Sequence, residues 1–476
     1  MVSAATQDIL IEVSPGETRV AILRGDGGRP ALYELLVDRM SRPSRVGEII
    51  AGRVARVDAT GAFVDLGGGE SGLIPRARGL TQGKRLAVQI VRDAAGGKGP
   101  GLTQSPVLSG RYLAIQPGRA GVTWSRRVGG LRREALEAWV AEHAAPEDGL
   151  TLRPPAAVVD DAVLTAELIR LRDAWAAIAV EAASAKPGTV LLSAPGLAER
   201  VLRDRIDVDG AVGILCDDRR LGTLIEKTIA ETMPDLSGAL TVHADPTPLF
   251  EAYGVEEQVE TAVAHRTALA GGGTLVFDET EALTAIDVNM GEADGGGVGR
   301  GQSRTDAAIF ALNRVAAGEV ARHIVLRNLT GLIVIDFISM RNKGHRRDLV
   351  ELLRRHLRSE ATGSAVPVDV LGMTAAGLVE VTRQRTAPPL ADLMLGPTNR
   401  LPAPAPDAQA CAALRAALRL RGTGRPVLRA APGVIALLEG ALASAAAETG
   451  RRMGQPLQLV AEPGRTGYTL AMERTP

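Results

Sequence analysis

Alternation of apolar and polar positions opens the chain. ILIEVS, TRVAILR and PALYELLVD, within residues 8 to 40, are separated by Pro15 and Gly16 and then by Gly25, Gly27 and Gly28. A period of two with turn residues between the runs predicts strands, so a β-meander is expected here. From Val46 to about Leu113 the text becomes VGEIIAGRVARVDATGAFVDLGGGESGLIPRAR, RLAVQIVRD and GGKGPGLTQ. Brief alternating strands between glycine-rich turns predict a small closed barrel. Helical stretches follow, LRREALEAWVAEHA and AELIRLRDAWAAIAVEAA, between breaks at Pro154, Pro155 and Pro187. AVGILCDD then reads as a buried strand and LGTLIEKTIAETM as a helix. Pro402, Pro404 and Pro406 mark a linker before a small Ala/Arg/Leu-rich domain. No internal repeat is visible.

Within the barrel, alternation puts Ala62, Val64 and Leu66 on one face and Gly61, Phe63 and Asp65 on the other. Phe63 on the polar face has two readings, a ring covered by neighbouring structure or a platform for a stacked base. Lys98, in a glycine-rich turn, is within reach of a phosphate. Gly67, Gly69 and Gly72 satisfy G-x-G-x-x-G literally, but a dinucleotide loop requires a helix next, and Leu73, Ile74 and Pro75 follow instead. These glycines are read as turn residues.

The densest chemistry lies between Gly271 and Pro389. Two apolar runs, LTAIDVN and LIVIDFI, each end in an aspartate, Asp287 and Asp336. Leu283, Ala285, Asp287 and Asn289 share one face, as do Leu332, Val334 and Asp336, and both carboxylates are expected to emerge from a buried face. Ile309, Leu312, Ala316, Val320 and Ile324 recur at helical spacing between the runs. Strand, helix, strand predicts a crossover that makes the two strands parallel and brings both aspartates to one carboxyl edge, where ligands bind in open α/β sheets. Two carboxylates with the amide of Asn289 form a hard oxygen set suited to Mg²⁺. An aspartate that merely caps a strand end is the competing reading. Arg341, Lys343, Arg346 and Arg347 follow the second run, and Arg383 and Arg385 lie in VTRQR. They would hold an RNA backbone or else form a solvated charged face.

Composition narrows the choices. The 476 residues are 45% hydrophobic, enough for several cored domains, and no run is long and apolar enough for a membrane span. The opening residues lack the pattern of a signal peptide, so the cytoplasm is expected. Formal charge is zero, and nucleic-acid binding would therefore rely on local patches. All but five of the 55 basic residues are arginine, a bias that suits phosphate recognition and that genome composition also produces. With only Cys216 and Cys411, neither a disulfide framework nor a Cys-x-x-Cys zinc site exists within one chain.

FDETEALTAIDVNMG, GLIVIDFISM and GLVEVTRQR, in this order and separation, closely resemble the catalytic region of the ribonuclease E/G family. PLFEAYGVEEQVETA and LAGGGTLVFDETEAL extend the likeness upstream, and GAFVDLGGGESGLIP resembles an S1-type OB-fold. With the barrel, the resemblance covers roughly residues 1 to 390. It implies an α/β multidomain fold. Residues 1–45 would begin a ribonuclease-H-like domain, interrupted by an S1-type barrel at 46–113 and a 5′-sensor-like domain at 114–196, and completed by 197–265. A DNase-I-like catalytic domain at 266–395 and the linker and small C-terminal domain at 396–476 would follow. The resemblance further implies Mg²⁺-dependent hydrolysis of phosphodiester bonds in single-stranded RNA, leaving a 5′-phosphate and a 3′-hydroxyl. Asp287, Asp336 and Asn289 would be the catalytic set, with the metal on the two aspartates.

Two departures qualify that expectation. The family's Cys-x-x-Cys after RQR, which shares zinc between protomers, is replaced here by LADLMLGPTNRLPAPAP, so no zinc is expected. A homo-oligomer such as a dimer is expected rather than a zinc-linked tetramer. The family's Arg-Thr pair for a 5′-monophosphate aligns with Ser125 and Arg126 of GVTWSRRVGG, leaving Arg126 or Arg127 as phosphate ligands. The short end after the small domain favours a ribonuclease-G-like role. The alternatives are a weakly catalytic RNA-binding protein on the same scaffold and a nucleotide-binding protein using GEADGGGVGRG as a phosphate loop.

Overall fold

The computed structural model describes residues 6–25, 30–94, 98–125, 128, 130–207, 210–270, 272–290, 306–360, 366–384, 388–396 and 404–474. The chain divides into two compact units, one of residues 1–42, 210–219 and 241–476, the other of residues 43–209 and 220–240.

In the first unit the expected meander forms. Thr6–Ser14, Glu17–Gly25 and Ala31–Arg39 pair antiparallel in sequence, and Val212–Cys216 adds parallel to the first strand. Ile9, Leu10 and Ile11 are all buried, so this central strand is covered on both faces. The same sheet buries Glu12, Glu17, Arg19 and Arg39. Arg19 pairs with Glu12, Arg39 Nε bonds Glu17 Oε1 at 2.7 Å, and Arg415 from the helix Pro406–Arg419 reaches Glu17. Pro406, expected in a linker, is the first residue of that helix, where its missing N–H costs nothing. Buried charges tolerate removal of a partner poorly, at about 3–5 kcal/mol. These pairs therefore tie helix Pro406–Arg419 to the opening sheet.

The second sheet of this unit has the strand order Arg266–Ala268, Thr274–Glu279, Leu283–Asn289, Gly331–Asp336, Val379–Arg383, Val368–Met373. Every neighbouring pair is antiparallel except Leu283–Asn289 with Gly331–Asp336, which is parallel. Helix Asp306–Leu326 joins those two, as the crossover pattern predicts. It packs with helix Lys343–Glu360 on one sheet face, where Ile286, Val288, Ile333, Ile335, Val379 and Val381 meet Ala316, Val320, Ile324, Leu349 and Leu353. Each large aliphatic side chain buried there contributes about 1.5–3 kcal/mol.

This face corrects one expectation. Asp287 and Asp336 lie on the opposite face with Leu283, Ala285, Leu332 and Val334, all of which are partly open. Both faces of each run are apolar in composition, but the β-branched set 286, 288, 333 and 335 is the one the helices cover. The carboxylates stand on the open side of the sheet.

In the second unit, Ile49–Asp58, Gly61–Asp65, Ser71–Pro75, Arg85–Arg92 and Gly101–Thr103 close into a five-stranded barrel through pairing of the first with Arg85–Arg92. Ala62, Val64 and Leu66 fill it, as alternation predicts. The barrel needs glycine at Gly61, where φ is 147° and a Cβ would collide with the backbone carbonyl of Ile74 on the paired strand. The GGG turn has φ of 78°, 58° and 84° at Gly67, Gly68 and Gly69 and leads into a strand, in agreement with turn glycines. Helices Gly130–His143 and Asp161–Ser184 form a core with the four-stranded sheet that includes Leu113–Ile115 and Asp148–Leu152. The buried Glu167 carboxylate is satisfied there by the backbone N–H groups of Arg111, Tyr112 and Leu113, at 2.8, 2.9 and 2.7 Å. Among the described residues no helix is long and apolar enough to cross a membrane.

Candidate active site

The parallel strands set the register directly: Asp287 and Asp336 are cross-strand partners, the last pair in the ladder. Two residues beyond Asp287, Asn289 donates from Nδ2 to Asp287 Oδ2 at 2.6 Å, which fixes that carboxylate and leaves the amide oxygen as a further hard donor. A Cβ at Gly273 would lie 2.9 Å from the Asn289 carbonyl, so the glycine permits the close approach of the neighbouring strand. The same open face carries Asp278, paired with Ala285, and Glu380, paired with Val334. Sequence reasoning passed over Glu380, although strand alternation in VEVTR places it opposite the buried Val379 and Val381.

The donor chemistry fits Mg²⁺. The donors brought together are hard oxygens, the carboxylates of Asp287 and Asp336 and the amide of Asn289. Such a set leaves room for water and phosphate oxygens, as Mg²⁺ requires. His323, on the crossover helix, is fully buried. Burial, and then Arg322 and Arg327, drive its pKa down to about 2, so it stays neutral in the core.

Past Asp336 the chain leaves the sheet. Asn342 Oδ1 accepts the Gly344 N–H at 2.7 Å and so caps helix Lys343–Glu360. Arg346 Nε donates to the Met340 carbonyl at 2.6 Å, whereas Arg341, Lys343 and Arg347 are exposed. In the barrel, Phe63 is half-buried and Arg56 lies over its ring, 4.4 Å from the centroid. Arg56, Phe63 and Leu73 are successive cross-strand partners on the outer face. Arg53, Arg76, Arg78, Arg92 and Lys98 are exposed on the same barrel.

A model of the Ribonuclease E/G family matches residues 107–386, and one of the S1 RNA binding domain matches residues 44–78. The chain is 33% identical to ribonuclease G of Escherichia coli (strain K12) over 407 residues, 80% of this chain and 80% of that protein. This chain belongs to the ribonuclease E/G family. Ribonuclease G of Haemophilus influenzae is 29% identical over 405 residues, 80% of this chain and 79% of that protein. Ribonuclease E of Escherichia coli is 33% identical over 404 residues, 79% of this chain but 36% of that protein. The S1 match spans the first three barrel strands, and Arg85–Arg92 and Gly101–Thr103 complete the closure.

For this ribonuclease E/G chain the structure brings together Asp287, Asn289 and Asp336, leaves Arg341 and Lys343 exposed after Asp336, and places Phe63 and Lys98 on the barrel surface. Arg383 is a correction. It is 6% exposed, and its Nη1 donates to Asn328 Oδ1 at 2.6 Å and to the Leu329 carbonyl at 3.0 Å. Its place on the face of Val379 and Val381 turns it inward, so it is a core arginine rather than an RNA ligand. Arg126, Arg127 and Arg385, and the GEADGGGVGRG segment, lie outside the described residues.

Proposed function

We propose that this chain is an endoribonuclease that hydrolyses phosphodiester bonds in single-stranded RNA with Mg²⁺ held by Asp287 and Asp336, acting in RNA processing or decay. The observation that carries the reading is the pairing of the two aspartates, in register, on the open face at the end of parallel strands. Asn289 orients Asp287 through its 2.6 Å hydrogen bond and offers its amide oxygen to the same place. The chemistry the ion would supply is polarisation of the scissile phosphate and activation of a water. Arg341 and Lys343 hold the RNA backbone by charge and offset the negative charge that grows on the phosphate. The barrel binds the strand by stacking on Phe63, with Arg56, Arg92 and Lys98 supplying phosphate contacts. In the same reading the five-stranded opening sheet is ribonuclease-H-like and the six-stranded sheet belongs to a DNase-I-like domain.

The test uses a labelled single-stranded, AU-rich oligoribonucleotide with either a 5′-phosphate or a 5′-hydroxyl, with and without Mg²⁺. Asp287→Asn or Asp336→Asn abolishes cleavage and leaves RNA affinity within about 3-fold, since each removes a metal ligand rather than a binding surface. Cleavage near the wild-type rate in both variants would refute the assignment. Tight RNA binding by a wild-type protein that does not cleave would favour the non-catalytic reading of the scaffold.

A further inference from the structure

Asn313 lies on the crossover helix Asp306–Leu326 and has no exposed surface. Its amide serves neither the helix nor solvent. Nδ2 donates to the carbonyl of Ile338 at 2.8 Å, and Oδ1 accepts the N–H of Ile338 at 3.1 Å. One side chain thus takes up both backbone groups of a residue two beyond Asp336, where the strand Gly331–Asp336 has ended. Asparagine is a weaker helix former than alanine, and the helix face it occupies is otherwise apolar, with Leu312, Ala316 and Val320 in the core. A buried amide is tolerated there because its bonds are made, and the groups it satisfies belong to the segment that follows the candidate catalytic aspartate. The far end of that segment is also fixed, by Arg346 on the Met340 carbonyl and by burial of the Met340 side chain.

We infer that Asn313 is a positioning residue of the active site. It sets the direction of the backbone beyond Asp336, so that the Asp336 carboxylate stands beside Asp287 and the segment bearing Arg341 and Lys343 leaves the sheet on one course. The inference rests on the reading of Asp287 and Asp336 as the metal-holding pair. Outer residues that fix a metal ligand typically change affinity or activity by about 10- to 100-fold when removed.

The experiment compares wild type, Asn313→Ala, Asn313→Ser, Asp336→Asn and a control, Ile324→Ala, which opens a cavity farther along the same helix. Binding of Mn²⁺ alone, followed by electron paramagnetic resonance, gives a readout independent of turnover, and steady-state cleavage separates kcat from KM. The expected result is Mn²⁺ affinity and kcat both lower by about 10-fold or more in the two Asn313 variants, with RNA KM within about 2-fold. Ile324→Ala lowers the melting temperature and leaves both quantities near wild type. The serine variant, which keeps a polar group, serves if the alanine variant does not fold. Asn313 variants that melt lower but bind Mn²⁺ and turn over like wild type would overturn the inference and leave Asn313 a structural residue. Wild-type Mn²⁺ binding and cleavage in Asp336→Asn would instead overturn the reading of the carboxylate pair on which it rests.

Discussion

Replacing Phe63 by alanine separates the two roles open to this ring. Its neighbours on the strand, Ala62 and Val64, fill the barrel, while Phe63 is half-buried on the outer face with the Arg56 guanidinium 4.4 Å from its centroid. Full burial of such a side chain is worth about 1.5–3 kcal/mol, so half-burial gives about 1 kcal/mol. The exposed cation–π contact adds about 0.5–1 kcal/mol. Phe63→Ala should therefore cost about 1–2 kcal/mol of stability, a fall of roughly 2–8 °C in melting temperature for a unit of this size. Loss of a stacked base costs about 1–3 kcal/mol, or roughly 5- to 150-fold in RNA affinity. Arg56 keeps its charge when the ring goes, so the dependence of affinity on salt should not change. Arg56→Ala, by contrast, should reduce the logarithmic salt slope by about 0.7 if it contacts one phosphate of a single strand. Fluorescence anisotropy of a labelled oligoribonucleotide without divalent ions measures both variants free of cleavage. Affinity unchanged by Phe63→Ala, together with a melting temperature lower by more than the estimated range, would refute the stacking role and assign the ring to packing.

Other expectations follow from the interior of the first unit. Arg383→Ala leaves Asn328 Oδ1 and the Leu329 carbonyl without their buried donor and should cost about 2–4 kcal/mol of stability, with RNA affinity within about 2-fold. An affinity loss at unchanged stability would restore Arg383 to the RNA-binding set. The Asp217 carboxyl is pushed up to about 6, first by burial and then by Glu12 and Asp218, so the folded state holds this proton more tightly than the unfolded chain does. The group therefore lowers stability as pH rises from about 4 to 6. Asp217→Asn should stabilise the protein at pH 8 by about 1–2 kcal/mol after allowance for solvent screening, and should do little at pH 4. Equal stabilisation at both pH values would exclude this origin. Cys411 is fully buried, and burial pushes its thiol up to about 12, which disfavours the thiolate that zinc requires. A zinc-selective chelator should change neither oligomeric state nor Mg²⁺-dependent activity, and one zinc per two chains, lost on Cys411→Ser, would contradict this.

Much of the fold was legible because period-two and helical patterns recur over whole elements. LTAIDVN, the helix-spaced apolar residues from Ile309 to Ile324, and LIVIDFI suffice to predict the crossover that sets Asp287 beside Asp336. The patterns did not tell which sheet face the helices cover, since both faces of each strand are apolar in composition and the choice is made by packing across the sheet. Arg383 was misread as a surface charge although its alternation with Val379 and Val381 pointed inward. For Asn313 no local signal existed, because its partner Ile338 lies 25 residues away across a helix-to-strand contact.

The pairing of Thr6–Ser14 with Val212–Cys216 has a consequence for biosynthesis. During translation at roughly 5–20 residues per second, the parallel partner of the first strand emerges about 10–40 s after it. For that interval the edge of Thr6–Ser14 stays unpaired, and the barrel unit, encoded almost wholly in between, has time to fold first. Glu12, Glu17 and Arg39 place charged side chains among the waiting apolar strands, and Arg415, the partner of Glu17, follows about 200 residues after Cys216. The sheet of Thr6–Ser14 is thus begun before the barrel and completed after it, and Glu12, on the strand that waits, makes its edge a poor template for a neighbouring nascent chain.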